Sequence, residues 1–154
     1  MITFIDGVFL FYMFIGFYML SLFIFIYIPN RNKMFEYPKG EAEPVSIVVP
    51  CYNASATIGK TIESLLKLNY PKDMIEVIIV DDKSKDNSVQ IIREYEKKYE
   101  NVRLIVNKRN SGGAAEPTNI GVKAARYDYI AVTDDDSSPE PDALKKMIGF
   151  FQQD

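Results

Sequence analysis

The sequence predicts an α/β domain, built on a parallel sheet with helices on both faces, behind a single membrane-crossing helix. Three observations carry this. Gly7 to Pro29 holds no charged residue and is packed with Phe, Ile, Leu, Met and Tyr. From Val45 to Phe151, short β-branched runs alternate four times with stretches of helical periodicity. Two of those runs close on consecutive aspartates, Asp81-Asp82 and Asp134-Asp135-Asp136. Alternation with short connections implies parallel strands and right-handed crossovers, which leave the sheet covered on both sides.

Each element follows in order. The apolar run exceeds the ~20 residues needed to cross ~30 Å of hydrocarbon as a helix. Tyr27 sits where an interfacial anchor belongs. A buried core helix of this length would carry a polar face, and a cleaved signal would start with basic residues where this chain has Asp6. Arg31, Lys33 and Lys39 follow the span, so the chain beyond residue 30 is expected in the cytoplasm. Residues 1–29 are therefore assigned to the anchor, 30–44 to a linker of mixed charge with two prolines and a glycine, and 45–154 to the domain.

Val45–Val49 reads as a buried strand stopped by Pro50, and Ser55–Leu68 as a helix capped by Ser55 or Thr57. Ile75–Val80 is a second strand. A second helix starts at Asp86 or Ser88, with Val89, Ile92, Tyr95 and Tyr99 inward and Arg93, Glu94, Lys97 and Lys98 outward. Val102–Val106 is a third strand. Gly113–Ala125 is a helix whose Pro117 must lie in its first turn. Tyr129–Thr133 is a fourth strand, and Pro141–Phe151 a closing helix.

Composition narrows the chemistry. The 154 residues carry 18 Lys and Arg against 21 Asp and Glu, a net charge of −3, so no basic surface argues for nucleic acid. There is no histidine, which excludes imidazole acid–base catalysis, His-based triads and His metal sites. The lone Cys51 makes no internal disulfide and supplies no thiolate cluster. Any metal must then be a hard cation held by carboxylates.

In sheets of this kind ligands bind beyond the carboxyl ends of the strands. Pro50-Cys51-Tyr52-Asn53, Asp81-Asp82 and Asp134-Asp135-Asp136 all lie there. Five carboxylates on one edge repel one another unless cations or hydrogen-bond donors compensate. A divalent cation on Asp134 or Asp136, with a diphosphate on its far side, resolves the repulsion; the plainer alternative is that these aspartates cap the following helices. Asp82 is placed to accept the imide N–H of uracil, and Tyr52 either stacks on the base or packs as an ordinary aromatic. Gly112-Gly113 before a helix would let backbone N–H groups approach an anion, though paired glycines also make ordinary turns.

VSIVVPCYN (Val45–Asn53), VIIVDDKSKDNS (Val77–Ser88), NSGGAAEPTNIGVKAA (Asn110–Ala125) and DYIAVTDDDSSPEPDAL (Asp128–Leu144) together resemble the family-2 glycosyltransferases. That resemblance implies a Rossmann-like GT-A fold and inverting transfer of a sugar from a UDP- or GDP-sugar, with Mg²⁺ or Mn²⁺. It places Pro50, Tyr52 and Asp82 around the base with Asp81 close by. Asp134 and Asp136 form the DxD pair contacting ribose and metal, and Asn119 lies near the diphosphate or sugar. Three positions depart from the family pattern. Ala54 stands where an acidic residue is common, Thr118 where arginine is common, and Lys83 where glycine is common. Family members continue past the DxD strand to supply a carboxylate general base, so the base is expected beyond Asp154 and this chain alone is expected to bind donor without transfer. The anchor suggests a lipid-linked or glycan acceptor.

Two other readings compete. A membrane-anchored nucleotide-sugar-binding module without catalysis accounts for the same donor residues. A receiver-like phosphoacceptor domain accounts for Asp81-Asp82 but leaves the triple aspartate and the glycine pair unexplained.

Overall fold

The computed structural model describes residues 3–38 and 40–152. Lys39, one of the three basic residues counted after the span, and Asp154 lie outside the described residues. The chain forms two compact units, Met1–Tyr37 and Pro38–Asp154.

In the first unit, helix α1 (Phe4–Asn30) runs 27 residues with no buried side chain. At 1.5 Å per residue it is about 40 Å long, and it is long and apolar enough to cross a membrane. Its apolar side chains go all round, so it has no face to bury against a soluble core. Asp6 is part of the helix start. Thr3 Oγ1 accepts the Asp6 N–H at 3.2 Å, and the Asp6 carboxylate accepts the Thr3 N–H at 2.8 Å, a reciprocal cap.

The second unit is an α/β domain with one parallel sheet in the order β3-β2-β1-β4. Its strands are β1 (Val45–Cys51), β2 (Ile75–Asp81), β3 (Val102–Val106) and β4 (Tyr129–Val132). The helices are α2 (Ile58–Leu66), α3 (Ser88–Lys98), α4 (Ala115–Ala124) and α5 (Ala143–Phe151). Alternation along the strands sorts their side chains. Val45, Ile47 and Val49 of β1, in register with Ile75, Val77 and Ile79 of β2, form the main core with Ile58, Ile62 and Leu65 of α2, Ile92 of α3 and Leu144 and Ile148 of α5. On the opposite face, α4 packs on Val48 and Val80. Both faces are covered, but unequally: Ile130 and Val132 of β4 stay exposed.

Several boundaries differ from expectation for local reasons. Pro50 does not stop β1, which runs on to Cys51. Val48 O accepts the Thr133 N–H on the β4 side, and alternation turns Pro50 to that same side. Pairing with β4 ends at Val48↔Val132, so the missing N–H of Pro50 breaks no ladder bond. Helix α2 starts at Ile58 and not Ser55: residues 55–57 form a turn closed by the Thr57 N–H on Ala54 O at 3.0 Å, and Ser55 is tied to Asp86, which accepts its N–H at 2.9 Å. Thr57 holds the cap position, yet its hydroxyl donates to Ala54 O and caps nothing. Helix α5 starts at Ala143; Pro141 sits in the preceding turn, its carbonyl accepting the Asn69 N–H. Pro117 falls in the first turn of α4 as predicted.

The stretch 30–44 divides in two. Its later part packs on the domain: Glu43 N–H and O both bond the Tyr70 hydroxyl, and the Glu41 N–H bonds Gln152 Oε1 at 2.9 Å.

Candidate donor site at the strand ends

The carboxyl ends of β1, β2 and β4 and the loop from β3 to α4 enclose a cleft of about 430 Å³. It lies where the strand order reverses between β1 and β4, the position at which open α/β sheets bind ligands.

Tyr52 follows directly on β1 and is 45% exposed along the cleft, so it is not a core aromatic. The next residue, Asn53, turns the chain with φ 52°. Asn53 N–H donates to Ser84 Oγ and its Oδ1 accepts the Lys85 N–H, both at 2.8 Å. The Ala54 N–H bonds Ser88 Oγ at 2.9 Å. These bonds stitch the loop after β1 to the loop after β2. Asp86 anchors the seam: burial opposes its ionisation, but hydrogen bonds from Ser88 and Ser55 outweigh that and hold its pKa well below the usual carboxylate range.

Asp81 and Asp82 separate by strand parity. Asp81 falls on the core face with Val77 and Ile79, fully buried, and its Oδ2 accepts the Ser84 N–H at 3.0 Å. Its Oδ1 has no partner among the described residues, and Asp81 does not line the cleft. Asp82 does line it. Its carboxylate accepts Asn107 Nδ2 at 2.7 Å and the Ser111 N–H and hydroxyl at 2.8 and 2.7 Å. Burial alone would raise the Asp82 pKa; these bonds overcome it and keep the group ionised. A carboxylate offers about four lone-pair positions, so three bonds leave Asp82 one acceptor direction. The protein's own donors thus compensate Asp82, the second of the two remedies expected for crowded carboxylates.

The loop Asn107–Ala114 brings Asn110, Gly112, Gly113 and Ala114 to the cleft. Gly112 has φ +84°, a conformation that excludes most side chains, whereas Gly113 meets no such demand. The first turn of α4 opens on the same wall with Ala114 and Pro117, where free N–H groups favour an anion. Glu116 in that turn is paired with Arg109 at 3.9 Å. Asn119 is exposed further along α4 and is not among the residues lining the cleft.

Asp134, Asp135 and Asp136 form a turn after β4, closed by the Ser137 N–H on Asp134 O at 3.2 Å. All three line the cleft, with Asp134 and Asp136 exposed. Asp135 is half-buried; burial raises its pKa, as do the charges of Asp136 and Asp134, against a lowering bond from the Tyr52 N–H. Among the described residues no three carboxylates converge on one point. Crowded charge with two outward carboxylates suits a hard cation that completes its shell from phosphate and water. Of the residues expected around a donor, Pro50, Tyr52, Asp82, Asp134 and Asp136 meet in the cleft; Asp81 and Asn119 lie outside its lining. Asn107 and Ser111, which hold Asp82, were not foreseen, since loop residues of this type carry no periodic signal.

Residues 46–154 match the sequence profile of Glycosyl transferase family 2. The chain is 40% identical over 109 residues to the poly(ribitol-phosphate) beta-glucosyltransferase of Bacillus spizizenii, covering 71% of this chain and 17% of that protein. Staphylococcus aureus TarS 1-349, solved with UDP-GlcNAc, superposes with TM-score 0.65 at 33% identity, over 70% of this chain and 31% of that one. The mannosyltransferase PcManGT from Pyrobaculum calidifontis, solved with GDP-Man and Mn²⁺, has TM-score 0.71 over 84% of this chain and 40% of that one; at 20% identity it speaks to the fold alone.

Proposed function

This chain belongs to Glycosyl transferase family 2, and we propose that its second unit is the donor-binding part of a glycosyltransferase that moves a sugar from a nucleotide-sugar to a lipid-linked or glycan acceptor with inversion. The observation that carries the proposal is the polarity of the cleft. Tyr52 and Asp82 lie at the ends of β1 and β2, and the outward Asp134 and Asp136 at the end of β4. An aromatic face and an ionised acceptor suit a nucleobase with an imide N–H, which favours a UDP-sugar. Pro50 flanks the base, and the buried Asp81 supports the turn beneath it. The Gly112 N–H is held by Asn110 Oδ1 at 2.9 Å, so Gly113 and the first turn of α4 are left to offer backbone N–H groups to the diphosphate, with Asn119 assigned to the diphosphate or sugar. TarS, a relative solved with UDP-GlcNAc, supports the donor class.

Asp134 and Asp136 would hold Mg²⁺ or Mn²⁺, which neutralises charge on the leaving diphosphate. The chain's own groups bind and orient the donor; the general base is assigned to none of them.

Thermal unfolding of the whole chain in detergent tests this. UDP with Mn²⁺ at about a hundred times its dissociation constant should add ~2.7 kcal/mol of stability, and chelation should remove most of it. Asp136→Ala should abolish the metal dependence with the fold intact. Equal stabilisation with and without metal would count against the assignment.

A further inference from the structure

Tyr52 and the acidic turn face each other where β1 and β4 part, and a single carboxylate joins them. β4 follows β1 only from Val45↔Tyr129 to Val48↔Val132. The last backbone bond between them runs from the Thr133 N–H to Val48 O at 3.1 Å. Beyond it Pro50 has no N–H to offer on that side. Asp135 Oδ2 then accepts the Tyr52 N–H at 3.2 Å. The backbone of Asp135 is itself clamped: its carbonyl accepts the hydroxyl of Thr61, a buried residue of α2, at 2.9 Å. All three aspartates line the cleft, Asp134 and Asp136 as exposed residues, while Asp135 between them is half-buried and engaged with the chain.

We propose that Asp135 is a positioning residue that sets Tyr52 in register with Asp134 and Asp136, so that the base and diphosphate ends of the cleft keep a fixed separation. The inference rests on the donor site described above. The bonds of Asp135 to the Tyr52 N–H and, through its carbonyl, to Thr61 give the middle aspartate of the run a task distinct from metal binding. Asparagine separates the two, since a neutral amide oxygen accepts the same bond but is a weaker ligand for Mg²⁺ or Mn²⁺ than a carboxylate.

The experiment compares Asp135→Asn and Asp135→Ala in the detergent-solubilised chain. Calorimetry gives the affinities for UMP without metal and for UDP with Mn²⁺, and hydrogen exchange follows the Tyr52 amide without ligand. Asp135→Ala should weaken both nucleotides by about tenfold and speed exchange of the Tyr52 amide. Asp135→Asn should keep both affinities within about threefold of the parent and keep the amide protected. A loss confined to the Mn²⁺-dependent increment, equal in Asn and Ala, with an unchanged Tyr52 amide, would make Asp135 a metal ligand and overturn the proposal. If the parent chain binds neither nucleotide, the donor reading fails, and amide exchange still decides whether Asp135 holds Tyr52.

Discussion

Glu76 joins four segments at the end of the sheet away from the cleft. It is 2% exposed on β2 and accepts the Ser46 hydroxyl of β1 at 2.7 Å, Arg103 of β3 at 3.1 Å and the Arg126 N–H of the turn before β4 at 2.5 Å. Burial alone would raise its pKa; these bonds and the Arg103 charge outweigh it and hold the group below the ordinary glutamate range. A lowered folded value means that stabilisation is complete above the unfolded pKa and is lost as pH falls through the folded one. Glu76→Gln should therefore cost about 1–3 kcal/mol at neutral pH, chiefly by leaving Arg103 and Arg126 without their anion. The deficit should shrink as acid protonates the parent, which urea denaturation between neutral pH and about pH 3 measures. A deficit independent of pH would show that the charge contributes nothing. Lys83 has φ +64°: the turn after β2 requires left-handed backbone, which glycine adopts freely and which costs roughly 1–2 kcal/mol for a side chain that is not glycine. The identity of Lys83 was plain from the sequence; its strain was not, because φ follows from how the Asp81–Ser84 turn closes.

At the scale of elements, α4 shows packing overriding helix propensity. Gly121 lies inside α4, where alanine is ordinarily better by about 1 kcal/mol. Here a Cβ would collide with Val48 Cγ1 and come within 3.2 Å of Val80 Cγ2. Both partners are fully buried and cannot retreat. Gly121→Ala should thus destabilise by about 1–3 kcal/mol despite its better propensity. It should also weaken UDP binding, since lifting α4 displaces Pro117 and Ala114 from the cleft. Thermal unfolding and calorimetry report the two effects; a stabilised variant would mean that α4 does not sit so close. The strands and helices themselves were legible, because burial on both faces leaves β-branched runs such as Ile75–Val80 and one-sided burial leaves a 3.6-residue stripe such as Ile58, Ile62 and Leu65. Their ends were less so. Ser55 could have capped α2 by type, but Asp86, thirty-one residues away, engages both its N–H and its hydroxyl in the turn before the helix.

For the whole molecule, α1 and the exposed Arg31 and Lys33 after it make the topology testable. The lone Cys51 is a silent background: it is buried, and desolvation with the charges of Asp135, Asp81 and Asp86 pushes its thiol up to about 12. Asn32→Cys should then be the one reactive thiol. In intact cells an impermeant maleimide should label it only after permeabilisation, consistent with a domain in the cytoplasm where sugar nucleotides are available. Labelling from outside would reverse the orientation. The sequence by itself determined that an uncharged span precedes an alternating α/β domain whose strands end in carboxylates, since hydrophobic length, periodicity and residue type are local properties of a chain. Only the tertiary structure decided which carboxylates share the cleft. Strand parity turned Asp81 into the core, the β3–α4 loop supplied Asn107 and Ser111 to Asp82, and the divergence of β4 from β1 brought Asp135 to Tyr52. Each of these depends on contacts between residues distant in sequence, which no window along the chain contains.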